Sequence, residues 1–126
     1  MAGFEELEVW KEARNLRMAI RELYKKFPKN EEYSLISQIK RSSRSVTANI
    51  AEGHGRYHYQ ENIQFCRHSR GSLDETKDHL ITALDEEYIT TGEYENCVKM
   101  YDHCLKLLNG YVAFLKKKKE AEAKLN

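Results

Sequence analysis

RSSRSVTANIAEGHGR, residues 41–56, decides how the rest of the chain is read. Arginine, serine and asparagine beside a Gly-His-Gly turn invite a phosphate-loop reading, but such a cradle needs backbone N–H groups that open a helix, commonly after a strand. Here the glycines follow a helical run in which Leu35, Ile39, Val46 and Ile50 share one face, and a helix C-terminus is the wrong end of the dipole for an anion. The stretch is therefore expected to be the polar end of a packed helix. Gly53 is its predicted C-cap, and Arg56 returns toward the last carbonyls or the polar side chains before them.

Working outward, Val9, Ala13, Leu16, Ile20, Leu23 and Phe27 step by four and three before Pro28, which predicts a first amphipathic helix. Asn30 is the expected N-cap of the second, with Glu31 and Glu32 in its first turn. A third helix is expected from Tyr59 to near Ile89, with Cys66, Ser69, Leu73, Thr76, Leu80 and Leu84 inward and Gly92 as the break after it. The fourth carries Tyr94, Cys97, Tyr101, Leu105, Leu108, Val112 and Leu115. Four helices with short connections predict an all-α fold, an antiparallel up-down-up-down four-helix bundle in one domain over residues 1–115. Residues 116–126, KKKKEAEAKLN, have almost nothing to bury and are expected to form a frayed basic helical tail.

The 126 residues are 40% hydrophobic and 33% charged, an ordinary composition for a water-soluble domain. No apolar run approaches the roughly 18 residues of a membrane helix. The N-terminal MAGFEELEVWKEARN lacks a basic start and apolar core of the secretory kind, so a cytoplasmic location is expected. Cys66, Cys97 and Cys104 are odd in number and lack CxxC spacing, which favours reduced thiols acting as small hydrophobes over a disulfide framework or a zinc site. No cofactor is expected.

Gln38, Arg41, Ser45, Asn49 and Glu52 fall in one helical arc of about 80°, beside the apolar face. They read as a polar spine that joins the second helix to a neighbour, with Ser42, Ser43 and Ala48 allowing a close approach; a binding groove is the other reading. Ser72 and Glu75 of the third helix are candidates to meet Arg41 or Arg56 there, since a carboxylate is the usual partner of a half-buried guanidinium. Along the same helix His68, Ser72, Glu75 and His79 raise the alternative of a hydrolytic or metal-dependent enzyme. His68 and Glu75 are two turns, about 10 Å, apart, so only Glu75 and His79 are spaced to share an ion, and no enzymatic role is expected.

The formal net charge is +1, but residues 57–92 carry three basic and seven acidic side chains, leaving the remaining segments positive. Trp10, Arg14, Arg17 and Arg21 occupy an arc of about 60°, the combination of ring and cations that contacts bases and phosphates. Lys116, Lys117, Lys118 and Lys119 add a second basic run. RNA or DNA is thus one candidate partner. In the competing reading Trp10 caps the core and the arginines pair with acids of the third helix or of another subunit. Self-association is expected through Met100, Leu107, Tyr111 and Phe114, an apolar strip beside the core stripe of the fourth helix, with Gly110 close by.

FEELEVWKEA, FPKNEEYSLISQIKRSSRSVTANIAEGHGR and FCRHSRGSLDE follow one another in an order that resembles the 23S rRNA intervening-sequence proteins over about residues 4–115. The resemblance rests on a Leu-x-Val-Trp start, a Gln-Ile pair, Asn-Ile-Ala-Glu-Gly-x-Gly-Arg and Gly-Ser-Leu-x-Glu in succession. It implies a four-helix bundle without an assigned catalytic activity that assembles as a homopentamer. It also implies kinship with the accessory variability determinant proteins of diversity-generating retroelements, and so a possible adaptor role toward a reverse transcriptase. Gln38, Ser45, Asn49, Glu52, Gly53, Gly55, Arg56, Gly71, Ser72 and Glu75 match the family pattern as signature positions. His58, Asn62, His68 and Ser69 depart from it, which suggests looser packing of the third helix.

Overall fold

The computed structural model describes residues 2–125, and among them four α-helices and two short 3-10 turns account for all regular structure. The helices are α1 (Glu8–Tyr24), α2 (Leu35–His54), α3 (Tyr59–Asp85) and α4 (Thr91–Leu125). Each packs on its two neighbours, α1 on α2 and α4, α3 on α2 and α4, with no diagonal contact. Contacts between opposite helix ends fix the alternating direction: Lys26, just past α1, bonds Glu93 at the start of α4, and Asn62 in the first turn of α3 bonds Tyr111 late in α4. This is the antiparallel up-down-up-down bundle.

All six apolar positions read for the first helix are buried, as are Leu35, Ile39, Val46 and Ile50 of α2. The phase drifts further along the chain. In α4 the buried line runs through Cys97, Tyr101, Cys104, Leu108 and Leu115, while Leu105 and Val112 are half-buried, and in α3 Ala83 is buried more deeply than Leu84. The three thiols are free and enclosed. Burial pushes the thiols of Cys66 and Cys97 up to about 11 and that of Cys104 to about 12, as small apolar fillers require.

The helix ends differ from the sequence reading in four places. First, α2 starts at Leu35, because Lys29–Glu31 forms a 3-10 turn and Glu31 reaches forward to accept bonds from the Ser34 hydroxyl and, at 3.4 Å, the Leu35 amide. Second, Gly53 is not a cap: it lies inside α2, buried, where an added Cβ would stand 2.7 Å from Asn62 Oδ1 and 2.9 Å from the Phe65 Cβ. It is glycine because α3 comes too close for anything larger.

Third, α3 ends at Asp85, with Glu87 in the left-handed region at φ 62° and the Tyr88 amide donating to the Ala83 carbonyl at 2.9 Å. Fourth, Gly92 does not break the chain but sits in the first turn of α4. There the Glu93 amide donates to Thr90 Oγ1 at 3.0 Å and the Thr90 amide to Glu93 Oε1 at 2.9 Å, a reciprocal capping pair.

Ser69 and Asn62 cause no loosening of α3. Ser69 is fully enclosed and donates to the Val46 carbonyl of α2 at 2.8 Å, and Thr76 Oγ1 lies 2.9 Å from Ser42 Oγ across the same seam. Small hydroxyl side chains bring α2 and α3 into the most extensive helix contact of the bundle. Among the described residues no buried side-chain polar atom lacks a partner. Residues 116–125, read as a frayed tail, continue α4 as helix with every side chain exposed.

Candidate nucleic-acid interface

The polar spine does not form as a buried network within the chain. Gln38, Arg41, Glu52 and Arg56 are exposed, and Ser45 and Asn49 half-buried. Asn49 Nδ2 donates to the carbonyl of Ser45 in its own helix at 2.8 Å. The buried polar residues of α2 are instead Ser42, Ser43 and Thr47, which lie between Arg41 and Asn49 in sequence but turn inward. Each returns its hydroxyl to a carbonyl three residues back, at 3.0–3.3 Å, so it enters the interior already satisfied. A guanidinium has no such local acceptor and stays outside.

Nor do Ser72 and Glu75 reach an arginine. Arg56 pairs with Glu52 at 3.1 Å and lies 3.8 Å from Glu61, its guanidinium 4.8 Å from the Phe65 ring centre. Glu75 faces His79 at 3.1 Å, and Ser72 is half-buried, its carbonyl accepting from Thr76. His68 is exposed beside Phe65. Among the described residues no three His, Cys, Asp or Glu side chains converge on a common point.

On α1 the predicted arc separates into two parts. Trp10 is half-buried against the core, edge-on to Phe4 at 5.2 Å, with the Arg14 guanidinium 5.9 Å from its ring centre. It anchors the N-terminal 3-10 turn. Arg17 and Arg21 instead line a groove of about 280 Å³ between α1 and α2, together with Tyr24, Ser43 and Arg44. Arg17 Nη1 donates to Thr47 Oγ1 at 2.8 Å, which holds the guanidinium on the α2 side.

Arg44 also lines a second groove, of about 390 Å³, with Lys40 and Arg41. Five cations therefore surround two adjoining grooves whose linings include no carboxylate. Ion pairs among the described residues involve Lys11, Lys25, Lys26, Arg56, His79 and His103, but none of Arg14, Arg17, Arg21, Lys40, Arg41 or Arg44. Among the described residues, no ion pair joins Arg14, Arg17 or Arg21 to an acid of α3. Lys40, Arg41 and Arg44 were missed as a surface because the sequence reading assigned Arg41 to the spine; the i, i+1, i+4 spacing of the three cations was the available signal.

The Lys116–Lys119 run lies elsewhere, against the start of α3. Lys119 Nζ donates to Gln60 Oε1 at 2.6 Å, and the Lys118 ammonium stands 5.5 Å from the Phe114 ring centre. Of the strip read as an oligomer interface, Met100, Leu107 and Tyr111 pack partly on their own core, and Phe114 is the one large exposed member, at 51%. Tyr111 is tied inward by the bond it accepts from Asn62 Nδ2 at 3.0 Å, and burial raises its phenol above the ordinary range.

No curated protein matches the chain. The crystal structure of a protein with unknown function from the S23 ribosomal protein family of Bacteroides thetaiotaomicron VPI-5482 is similar to it, with 27% identity and a TM-score of 0.75. That match covers 82% of this chain and 97% of the other. The family model for the 23S rRNA-intervening sequence protein matches residues 5–110. These residues hold α1 to α3 and most of the buried part of α4, including every residue of the two basic grooves, and the chain belongs to the 23S rRNA-intervening sequence protein family.

Proposed function

We propose that this chain is a non-enzymatic, self-associating bundle of the cytoplasm that binds RNA or DNA through phosphate contacts on the α1–α2 face. The observation that carries the reading is the pair of adjoining grooves in which Arg17, Arg21, Lys40, Arg41 and Arg44 meet no carboxylate. Unneutralised guanidinium groups on a chain of net charge +1 concentrate positive potential where overall charge does not. Phosphate binding releases counterions from the nucleic acid and needs no base-specific contact, so affinity across sequences with strong salt dependence is expected.

Assembly into a homopentamer, which the family resemblance implies, would present the face several times and convert weak contacts into avid binding. Light scattering tests assembly: a species of 14.9 kDa at micromolar concentration rejects it. For binding, an Arg17→Gln/Arg21→Gln/Arg44→Gln variant is compared with the parent across a salt series. Loss of three phosphate contacts should lower the slope of log K against log salt by about 2–3. An unchanged slope rejects this face, and binding to a protein partner alone, such as a reverse transcriptase, replaces the reading with an adaptor.

A further inference from the structure

At the end of the bundle where α2 turns into α3, opposite the start of α4, rings gather in a way that core packing does not require. Tyr57 in the turn is 90% exposed and stands edge-on to His58 at 4.8 Å, while Phe114 of α4 is 51% exposed and stacks on Tyr111 with an interplanar angle of 14°. Tyr57, His58, Tyr59, Tyr111 and Phe114 line one cleft of about 250 Å³, with Arg56 at its edge. No carboxylate lines it. The lysine run begins two residues after Phe114, and Lys118 already lies over that ring at 5.5 Å.

We infer that this cleft holds an unpaired nucleobase, so that the protein prefers single-stranded over duplex nucleic acid; the inference rests on the phosphate-binding reading given above. Two exposed rings flanking a cleft offer π-faces that any base can stack on, and a base within a duplex has no free face to give them. The volume is below the roughly 300–1,000 Å³ of clefts that enclose a drug-sized ligand and suits one ring system. Charge identifies the occupant: a neutral peptide or lipid tail would gain little from Lys116–Lys119, whereas each base brings a phosphate to them. Asn62 in the cleft already donates to the Tyr111 hydroxyl, so its amide is committed within the chain.

The test uses the full chain, a labelled single-stranded RNA and the same strand annealed to its complement, at one salt concentration. The parent should bind the single strand at least several-fold more tightly. Tyr57→Ala/Phe114→Ala should weaken single-strand binding about 5- to 100-fold and leave duplex binding unchanged, and Tyr57→Trp/Phe114→Trp should retain the preference. Equal affinity of the parent for the two forms, or equal weakening of both in the alanine variant, overturns the inference while leaving the α1–α2 face intact. Failure of the parent to bind either form overturns both readings. If light scattering shows that the alanine variant falls apart into single chains, Phe114 belongs to a contact between copies and the cleft proposal is likewise overturned.

Discussion

Helix α2 meets its two neighbours in different ways, although both seams are built with small hydroxyl residues. Toward α3, Ser42, Gly53, Ser69 and Thr76 bring the helices into their most extensive contact, and no charged group enters. Toward α1, Ser43 and Thr47 are just as buried, but the contact between the helices is the least extensive of the four pairs, and the groove at their junction is lined by Arg17, Arg21 and Arg44. The difference lies in what stands above the hydroxyls. Where a glycine and a serine sit there, backbones close and water is excluded; where long cationic side chains sit there, their stems cover the seam and their heads stay wet. The closed seam serves stability, and the open one is available for a ligand.

The largest expected effect tests the closed seam directly. Gly53→Ala puts a methyl within 3 Å of two α3 atoms and should cost about 1–3 kcal/mol, read as a fall in the urea midpoint at constant slope. An added Cβ at Gly71, on the exposed side of α3, meets nothing within 4 Å, so the same substitution there should stabilise by about 0.5–1 kcal/mol. Equal effects at the two glycines would mean that α2 and α3 are not as close as described. Next in size, Ser69→Ala removes the 2.8 Å bond to the Val46 carbonyl and should cost about 0.5–1.5 kcal/mol.

Neither seam contains a carboxylate partner, and the lowered carboxyls lie elsewhere, at Glu22 beside Lys25 on the exposed side of α1 and at Glu31 and Glu93 near the turns. The hydroxyl of Ser34, and after it that of Tyr88, holds Glu31 below its ordinary 4.5, and Lys26 with the Thr90 amide does the same for Glu93. A carboxyl lowered in the folded state contributes stability that is complete above 4.5 and is lost as pH falls through the depressed value. Denaturation midpoints measured from neutral pH downward should therefore decline below that point. Glu31→Gln should flatten the decline, whereas Ser69→Ala should shift the curve without changing its shape.

How much of this was legible depends on which property the sequence encodes locally. The apolar stripe of α1 and the main core positions of α2 follow from spacing alone, because each step of three or four returns to the same face. The Thr90–Glu93 capping pair was equally legible, being a Thr-x-x-Glu ahead of an apolar run. Gly53 was not: a cap and a close approach use the same residue, and only the position of Phe65 on another helix separates them. The spine failed because its arc runs too far round the helix: at about 100° per residue Asn49 stands at the edge of the Leu35–Ile39–Val46–Ile50 stripe, but Arg41 lies about 150° from its centre, while Ser42 and Thr47 fall within about 90° of it and are buried. The cleft between Tyr57 and Phe114 joins positions far apart in sequence, and no spacing rule connects them.

The smallest expected effect is at Asn49, and it separates a family-pattern position from a stabilising one. If Asn49 belonged to an interhelical network, replacement by leucine would strand its partners and cost about 1–3 kcal/mol. Its side chain is half-buried and its amide donates to the Ser45 carbonyl of the same helix, which is the Asn49 backbone amide's own partner position in an α-helix. No atom of another helix loses a bond when the amide is removed. Leucine also has the higher helix propensity, which offsets the lost local bond. Asn49→Leu should thus change the folding free energy by less than about 0.5 kcal/mol, measured by urea denaturation. A loss above 1 kcal/mol would place Asn49 in a contact that the single chain does not contain, and the same variant examined by light scattering would then show whether that contact is with a second copy.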